Sequence, residues 1–319
     1  MLRVLIFLML IIKSCFLFSQ GVGTIKTSDF ERYKQLNEKE LRLPEFKDSD
    51  EALKLKLLQL DVINKSRKEF KAPPVRLDIL ASRVANKMCR EAAENHYLSH
   101  WNLAGEKPYH RYALAGGYDH VAENAFGEWT SGKHNISNSF IGEMMKTGHE
   151  SFMAERAPND GHKRNIIDKA HNFVGIGYFI TTDEFRYYEE FIDRYLEFDN
   201  IPAELKINEP GSITVNTKGE GYLYYLIIYR EKLPGRMRVS QLSRKGSYAD
   251  YSNEDYLKIP AWDLAQYRNG STYRIPLIFS KVGLYYIHIF IDKEENTGSL
   301  SLSTKGKANV SGIVIKVTR

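Results

Sequence analysis

Phe173-Val-Gly-Ile-Gly-Tyr-Phe-Ile180, followed closely by Glu184-Phe-Arg-Tyr-Tyr-Glu-Glu-Phe-Ile-Asp-Arg-Tyr-Leu-Glu-Phe198, is the stretch that decides the fold class. Both runs are dense in aromatic and β-branched residues, which suit a pleated and buried surface, so they read as two paired strands. Upstream the period changes. Leu53, Leu57, Leu60, Ile63 and Asn64 fall at helical spacing, as do Leu80, Val84, Lys87 and Met88 after the Pro73-Pro74 break. A further helix is expected over about 136–155, carrying Ile136, Phe140, Met144, Met145 and Phe152, with Gly142 and Gly148 weakening it. Helices first and strands afterwards, with no repeating βαβ unit, point to an α+β domain over residues 50–200.

After Pro202 the character shifts to short β-prone runs: Ser212–Thr217, Tyr222–Tyr229, Thr272–Phe279, Leu284–Asp292, Ser299–Ser303 and Ser311–Thr318. Turn formers such as Gly219-Glu-Gly221 and Asn269-Gly270 separate them. This pattern predicts an all-β, immunoglobulin-like sandwich over residues 201–319, with Gly283-Leu-Tyr285 placed like a tyrosine corner. Its tyrosines offer platforms for a glycan or other cell-surface partner; stacking within the core accounts for the same composition. Residues 21–49, polar and mixed in charge with few apolar anchors, read as an arm draped on the first domain.

Met1 to Gln20 has a positive start, an apolar centre and a Ser-Gln-Gly exit, the pattern of a secretory signal peptide. Its apolar run from Val4 to Ile12 ends at Lys13, short of the roughly 20 residues that span a bilayer as a helix. A secreted or cell-envelope protein with no integral span in the mature chain is expected, and Lys13-Ser14 before Cys15 makes a poor lipidation site. Removing residues 1–20 leaves 43 basic against 40 acidic side chains, too balanced for a dedicated nucleic-acid binder. It also leaves Cys89 as the only thiol, so no intrachain disulfide can hold the fold. Within its helix Cys89 reads as a small buried hydrophobe.

Eight of the nine histidines lie between His96 and His171. Imidazoles gathered with carboxylates suit metal binding or acid-base work. Three segments stand out: Leu98-Ser-His-Trp101 with Arg111-Tyr112, Val121-Ala-Glu-Asn-Ala125, and Phe152-Met-Ala-Glu155 with Gly161-His-Lys-Arg-Asn-Ile166. No His-Glu-x-x-His, Gly-x-Ser-x-Gly, phosphate loop or dinucleotide fingerprint is present, so the common hydrolase and nucleotide chemistries lack support.

Together with Asn64-x-x-Arg67, Val75-x-Leu77-Asp78-x-Leu80 and Val174-Gly-Ile-Gly177, these segments resemble the superfamily of cysteine-rich secretory proteins, antigen 5 and pathogenesis-related proteins, in its bacterial secreted branch. The likeness runs from Leu57 to Phe198 and implies an α-β-α sandwich whose cleft carries two histidines and two glutamates. By motif these correspond to His100, Glu123, His162 and Glu155, with Glu150 and Glu143 as alternatives for the last and Phe152 standing where relatives often carry Trp. Members have been linked to sterols and other lipids, to divalent metals and, in a few cases, to proteolysis. The resemblance therefore favours a binding protein whose cleft takes zinc or another divalent metal, or a small or lipidic ligand.

In the competing reading, a zinc-assisted hydrolase, His100 and His162 hold the metal and Glu123 or Glu155 acts as general base. In a third reading the four side chains only brace the cleft walls. Asn124 is expected to bond loop backbone, and Gly161 to permit a close approach or a positive φ before His162.

Overall fold

The computed structural model describes residues 25–219, 221–245, 248, 255–296, 298 and 303–319. The expected signal peptide and most of the strand expected at Ser299–Ser303 lie outside the described residues. Among them, no helix is long and apolar enough to cross a membrane.

Helix and strand segregate as an α+β fold requires. The arm is not merely draped. It forms helix α1 (Thr27–Lys39) and a short 3-10 turn (Pro44–Phe46), anchored by Tyr33, which is buried in the core together with the partly buried Ile25 and Phe30, and by a network of buried polar groups. The Arg83 guanidinium donates to the carbonyls of Asn37, Glu40 and Arg42. The fully buried Lys56 ammonium lies 2.7 Å from Asp48 and donates to Asn86. Unpaired, such groups would be costly to bury, so the network specifies where the arm sits.

Helix α2 (Asp50–Glu69) is capped by Ser49 and buries Leu53, Leu57, Leu60 and Ile63 on one face, the expected stripe. Strand β1 (Arg76–Leu77) leads into α3 (Ile79–Glu94), whose first turn is capped by Asp78 accepting from the Ala81 N–H at 2.7 Å. There follow α4 (Pro108–Leu114), β2 (His120–Trp129), α5 (Asn138–Met153), α6 (Gly161–Ile167), β3 (Phe173–Ile180) and β4 (Glu184–Asp193). Helix α5 is shorter than expected because Ser137 caps it, accepting from the Phe140 N–H. The sheet runs β1-β3-β4-β2, with β3-β4 and β4-β2 antiparallel, so β2 lies at an edge. Gly175 and Gly177 let α3 lie directly on β3: a Cβ at either would come within 2.4 Å of Ala81 or Ala85. Cys89 is buried and unpaired, as expected.

The second predicted strand does not continue to Phe198. It ends at Asp193, and Glu197–Asp199 forms β5, which pairs with a different sheet. The break falls at Arg194, whose guanidinium reaches Asp78 at 2.7 Å and Asp119 at 2.9 Å.

The remaining strands are β6 (Glu204–Lys206), β7 (Gly211–Asn216), β8 (Tyr222–Glu231), β9 (Asp255–Pro260), β10 (Arg268–Asn269), β11 (Thr272–Leu277), β12 (Gly283–Asp292) and β13 (Ile313–Thr318). They form two sheets, β10-β11-β7-β5 and β6-β13-β12-β8-β9, whose apolar residues meet in a common cluster including Val215, Leu226, Ile275 and Ile287. A second cluster joins the two halves of the chain: Leu284, Tyr286 and Val314 are buried with Tyr109, Tyr112, Val121 and Ile192.

Candidate histidine and glutamate cleft

His100 lies in the loop after α3. Arg111, on α4, fixes that loop by donating to the His100 carbonyl at 2.7 Å. The His100 Nδ1 is 2.7 Å from Glu123 Oε1, a carboxylate projected from edge strand β2. His162 opens α6. Its backbone N–H donates to Glu155 Oε2 at 3.0 Å and its Nδ1 is 2.5 Å from Glu155 Oε1. The two imidazole centroids are 6.1 Å apart, tilted by 39°. Four remote positions, His100, Glu123, Glu155 and His162, thus converge as two carboxylate-held imidazoles facing each other. Glu143 is exposed, and Glu150 points away towards Lys146 with its side chain 64% exposed. The Phe152 ring packs 4.8 Å from that of His162.

A carboxylate on Nδ1 favours the proton there and leaves Nε2 as the ring's lone pair. It also occupies the carboxylate. Among the described residues no three His, Cys, Asp or Glu side chains are placed to hold a metal ion together. What the pair offers a ligand is therefore two imidazole nitrogens.

Behind the cleft, Arg111 donates to Glu123 and lies 3.6 Å from Glu190, the cross-strand partner of Glu123 on β4. One cation thus faces two wholly buried carboxyl groups. Burial pushes Glu123 up to about 7 against the pull of Arg111, and burial beside Glu123 pushes Glu190 well above the carboxylate range. Neither Glu190 oxygen has a hydrogen-bond partner among the described residues. Burial and the nearby Arg111 charge push His100 down to about 4, so its ring is neutral at neutral pH.

Asn124, one residue on and facing the other side of the sheet, bonds backbone of helix α6 and not, as expected, of a loop. Its Nδ2 donates to the His162 carbonyl at 3.1 Å and to Glu189 at 3.0 Å, while its Oδ1 accepts from Asn165. Glu189 continues to His149, whose other nitrogen is 2.9 Å from Ser66 Oγ. This serine-histidine-glutamate chain lacks one part of a nucleophilic site: Ser66 lies inside α2, where backbone N–H groups are committed to helix bonds and form no oxyanion hole. Gly161 does not do what was expected of it. No positive φ is seen there and a Cβ would meet nothing within 4 Å. The glycine is simply the first residue of α6.

Sequence reasoning missed Glu190 and Tyr248. Glu190 sits in a strand read only as hydrophobic, although its register opposite Glu123 could have exposed it once β2 was recognised. Tyr248 comes from far down the chain and carries no local signal. Its ring is 4.6 Å from that of His100, and its hydroxyl accepts from the Glu123 N–H at 2.6 Å.

In comparisons with known proteins, residues 60–191 match the model of the cysteine-rich secretory protein family, CAP. No curated protein matches the chain. Among solved structures, an extracellular protein containing an SCP domain from Bacillus anthracis is similar at 15% identity, covering 54% of this chain and 45% of its own, with a TM-score of 0.33. An outer surface protein of Borrelia burgdorferi is similar at 17% identity over 42% of this chain and 90% of its own, TM-score 0.32. A cysteine-rich secretory protein of Staphylococcus aureus is similar at 14% identity over 43% of this chain and 38% of its own, TM-score 0.27. The chain thus spans less than half the length of the first and third of these. With its motifs in order, the stretch from 60 to 191 is a CAP domain.

Proposed function

We propose that this is an exported binding protein whose CAP cleft takes a small ligand or a weakly held divalent ion between His100 and His162. One observation carries the reading: each Nδ1 is held by a carboxylate, so both Nε2 lone pairs are left for a ligand. Two neutral imidazole nitrogens fit an exchangeable zinc ion with water filling the other positions, a weaker arrangement than a closed structural site. His100 and His162 would hold it, and its chemistry there would be that of a Lewis acid. Glu123 and Glu155 orient the rings. Glu123 is also taken by Arg111, which argues against it as the general base of a hydrolase. A lipidic ligand would suit a different place, the cavity of about 420 Å³ beside Tyr195, Leu196 and Ile291, away from the histidines.

The sheets after residue 200 are read as an immunoglobulin-like sandwich that serves attachment. In support, the Tyr285 hydroxyl donates to the Lys281 carbonyl at 2.8 Å, as in a tyrosine corner, and its ring stacks 4.0 Å from Phe279 inside the core. Export is inferred from the first twenty residues.

Zinc calorimetry on the wild type and on His162→Ala tests the cleft. Heat of binding is expected for the wild type and none for the variant; no heat from either would refute the reading. Turnover of a peptide or ester pool that is lost in folded His100→Ala and Glu123→Ala would replace it with the hydrolase.

A further inference from the structure

After β8 the chain does not return directly to its own sheet. Residues 232–245 cross to the CAP domain, outside the segment that matches the family. The Met237 N–H donates to the Leu103 carbonyl at 2.8 Å, and Leu242 is buried among Met88, Trp101 and Tyr188. The Lys245 ammonium sits over the Trp101 ring at 5.4 Å. Gly105 has a φ of +80°, and a Cβ there would come 2.8 Å from the Gly235 carbonyl oxygen, so the two chains lie in direct backbone contact.

Beyond this docked segment, Tyr248 reaches the cleft itself. Its carbonyl accepts from the Tyr109 hydroxyl at 3.0 Å. Its own hydroxyl accepts from the Glu123 N–H at 2.6 Å and lies 3.3 Å from the Glu123 carbonyl oxygen. Its ring packs against that of His100, centroids 4.6 Å apart and tilted by 52°. Because β2 is an edge strand, the Glu123 N–H and C=O that face away from β4 are the groups an added strand would use. A hydroxyl both donates and accepts, so this side chain, with the Asn165 Nδ2 donating to the same Glu123 carbonyl at 3.4 Å, stands where the backbone of an added strand would be.

We propose that Tyr248 is the specificity-determining residue of the cleft: its hydroxyl blocks strand addition at Glu123 and its ring shields His100, so the cleft admits an ion or small solute and not an extended peptide. This deepens, and for its ligand class rests on, the reading of the cleft as a small-ligand site.

Hydroxyl and ring are separable by experiment. Amide hydrogen exchange at Glu123 reports the hydroxyl, and the rate at which diethyl pyrocarbonate modifies His100, followed by peptide mass spectrometry, reports the ring. In Tyr248→Phe, Glu123 exchange is expected to rise about tenfold or more while His100 reacts as in the wild type. In Tyr248→Ala both are expected to rise about tenfold, with His162 in the same molecule unchanged within about twofold. Unchanged Glu123 exchange in the Phe variant would overturn the proposal. So would unchanged His100 reactivity in the Ala variant, or an equal rise at His162. Zinc calorimetry is independent of these readouts: a wild type that shows no heat would remove the ion-binding reading and leave the placement of Tyr248 to stand or fall on exchange and modification.

Discussion

At the scale of single residues, the cleft is a problem of too few charges. Arg111 faces Glu123 and Glu190, and burial pushes both carboxyls upward. Glu190→Gln removes the surplus carboxyl at similar volume and is expected to change stability by less than about 1 kcal/mol at neutral pH in urea unfolding. Arg111→Met leaves both carboxyls without their cation and the His100 carbonyl without its donor, and is expected to cost about 3–5 kcal/mol.

The pH dependence carries opposite signs at Glu123 and His100. A carboxyl raised to about 7 holds its proton longer when folded, so its contribution to stability falls as pH rises from about 4.5 to 7. An imidazole lowered to about 4 takes up its proton more readily when unfolded, so its contribution rises between about 4 and 6.5. In Glu123→Gln that carboxyl's falling contribution is removed while those of Glu190, His100 and the other buried histidines stay, so the variant's urea midpoint relative to the wild type is expected to climb between about pH 4.5 and 7 by the equivalent of about 2–3 kcal/mol. A variant profile parallel to that of the wild type would contradict the assignment. Of the cleft residues, His100, Glu123, Glu155 and His162 were legible because each sits in a short ordered motif. Glu190 and Tyr248 were not, because what places them is register and long-range docking.

At the scale of elements, the glycines of Val174-Gly-Ile-Gly177 explain why α3 can cross the sheet at close range. Gly175→Ala forces a Cβ to within 2.4 Å of Ala81 and is expected to cost about 3 kcal/mol. Gly161→Ala meets no atom and is expected to stay within about 0.5 kcal/mol of the wild type. Thermal unfolding of the pair checks both. Helices α2 and α3 were legible from their spacing because each buries one stripe. Strand β4 is buried along its whole length, so no alternation marks where it ends, and its stop at Asp193 depends on Arg194 finding acidic partners elsewhere. Strand β2 escaped because Glu123-Asn124 and Gly127-Glu128 interrupt its apolar pattern with residues serving the cleft and edge.

At the scale of the molecule, the two halves share a buried cluster and an ion pair, Lys107 to Glu231 at 2.5 Å. They are therefore expected to unfold together, with calorimetry showing one transition; two separated transitions would contradict a shared core. The order of helices then strands made the α+β class readable, while the docking of 232–245 and of Tyr248 was not, since nothing local there says what it packs against.

The most direct test is nitrogen NMR of the imidazoles in the full-length protein, before and after zinc. Both His100 and His162 are expected to carry their proton on Nδ1, and zinc is expected to move both Nε2 resonances together. A proton on Nε2 of either ring, or a zinc response at only one of them, would contradict a cleft in which two carboxylate-held imidazoles act on one ligand.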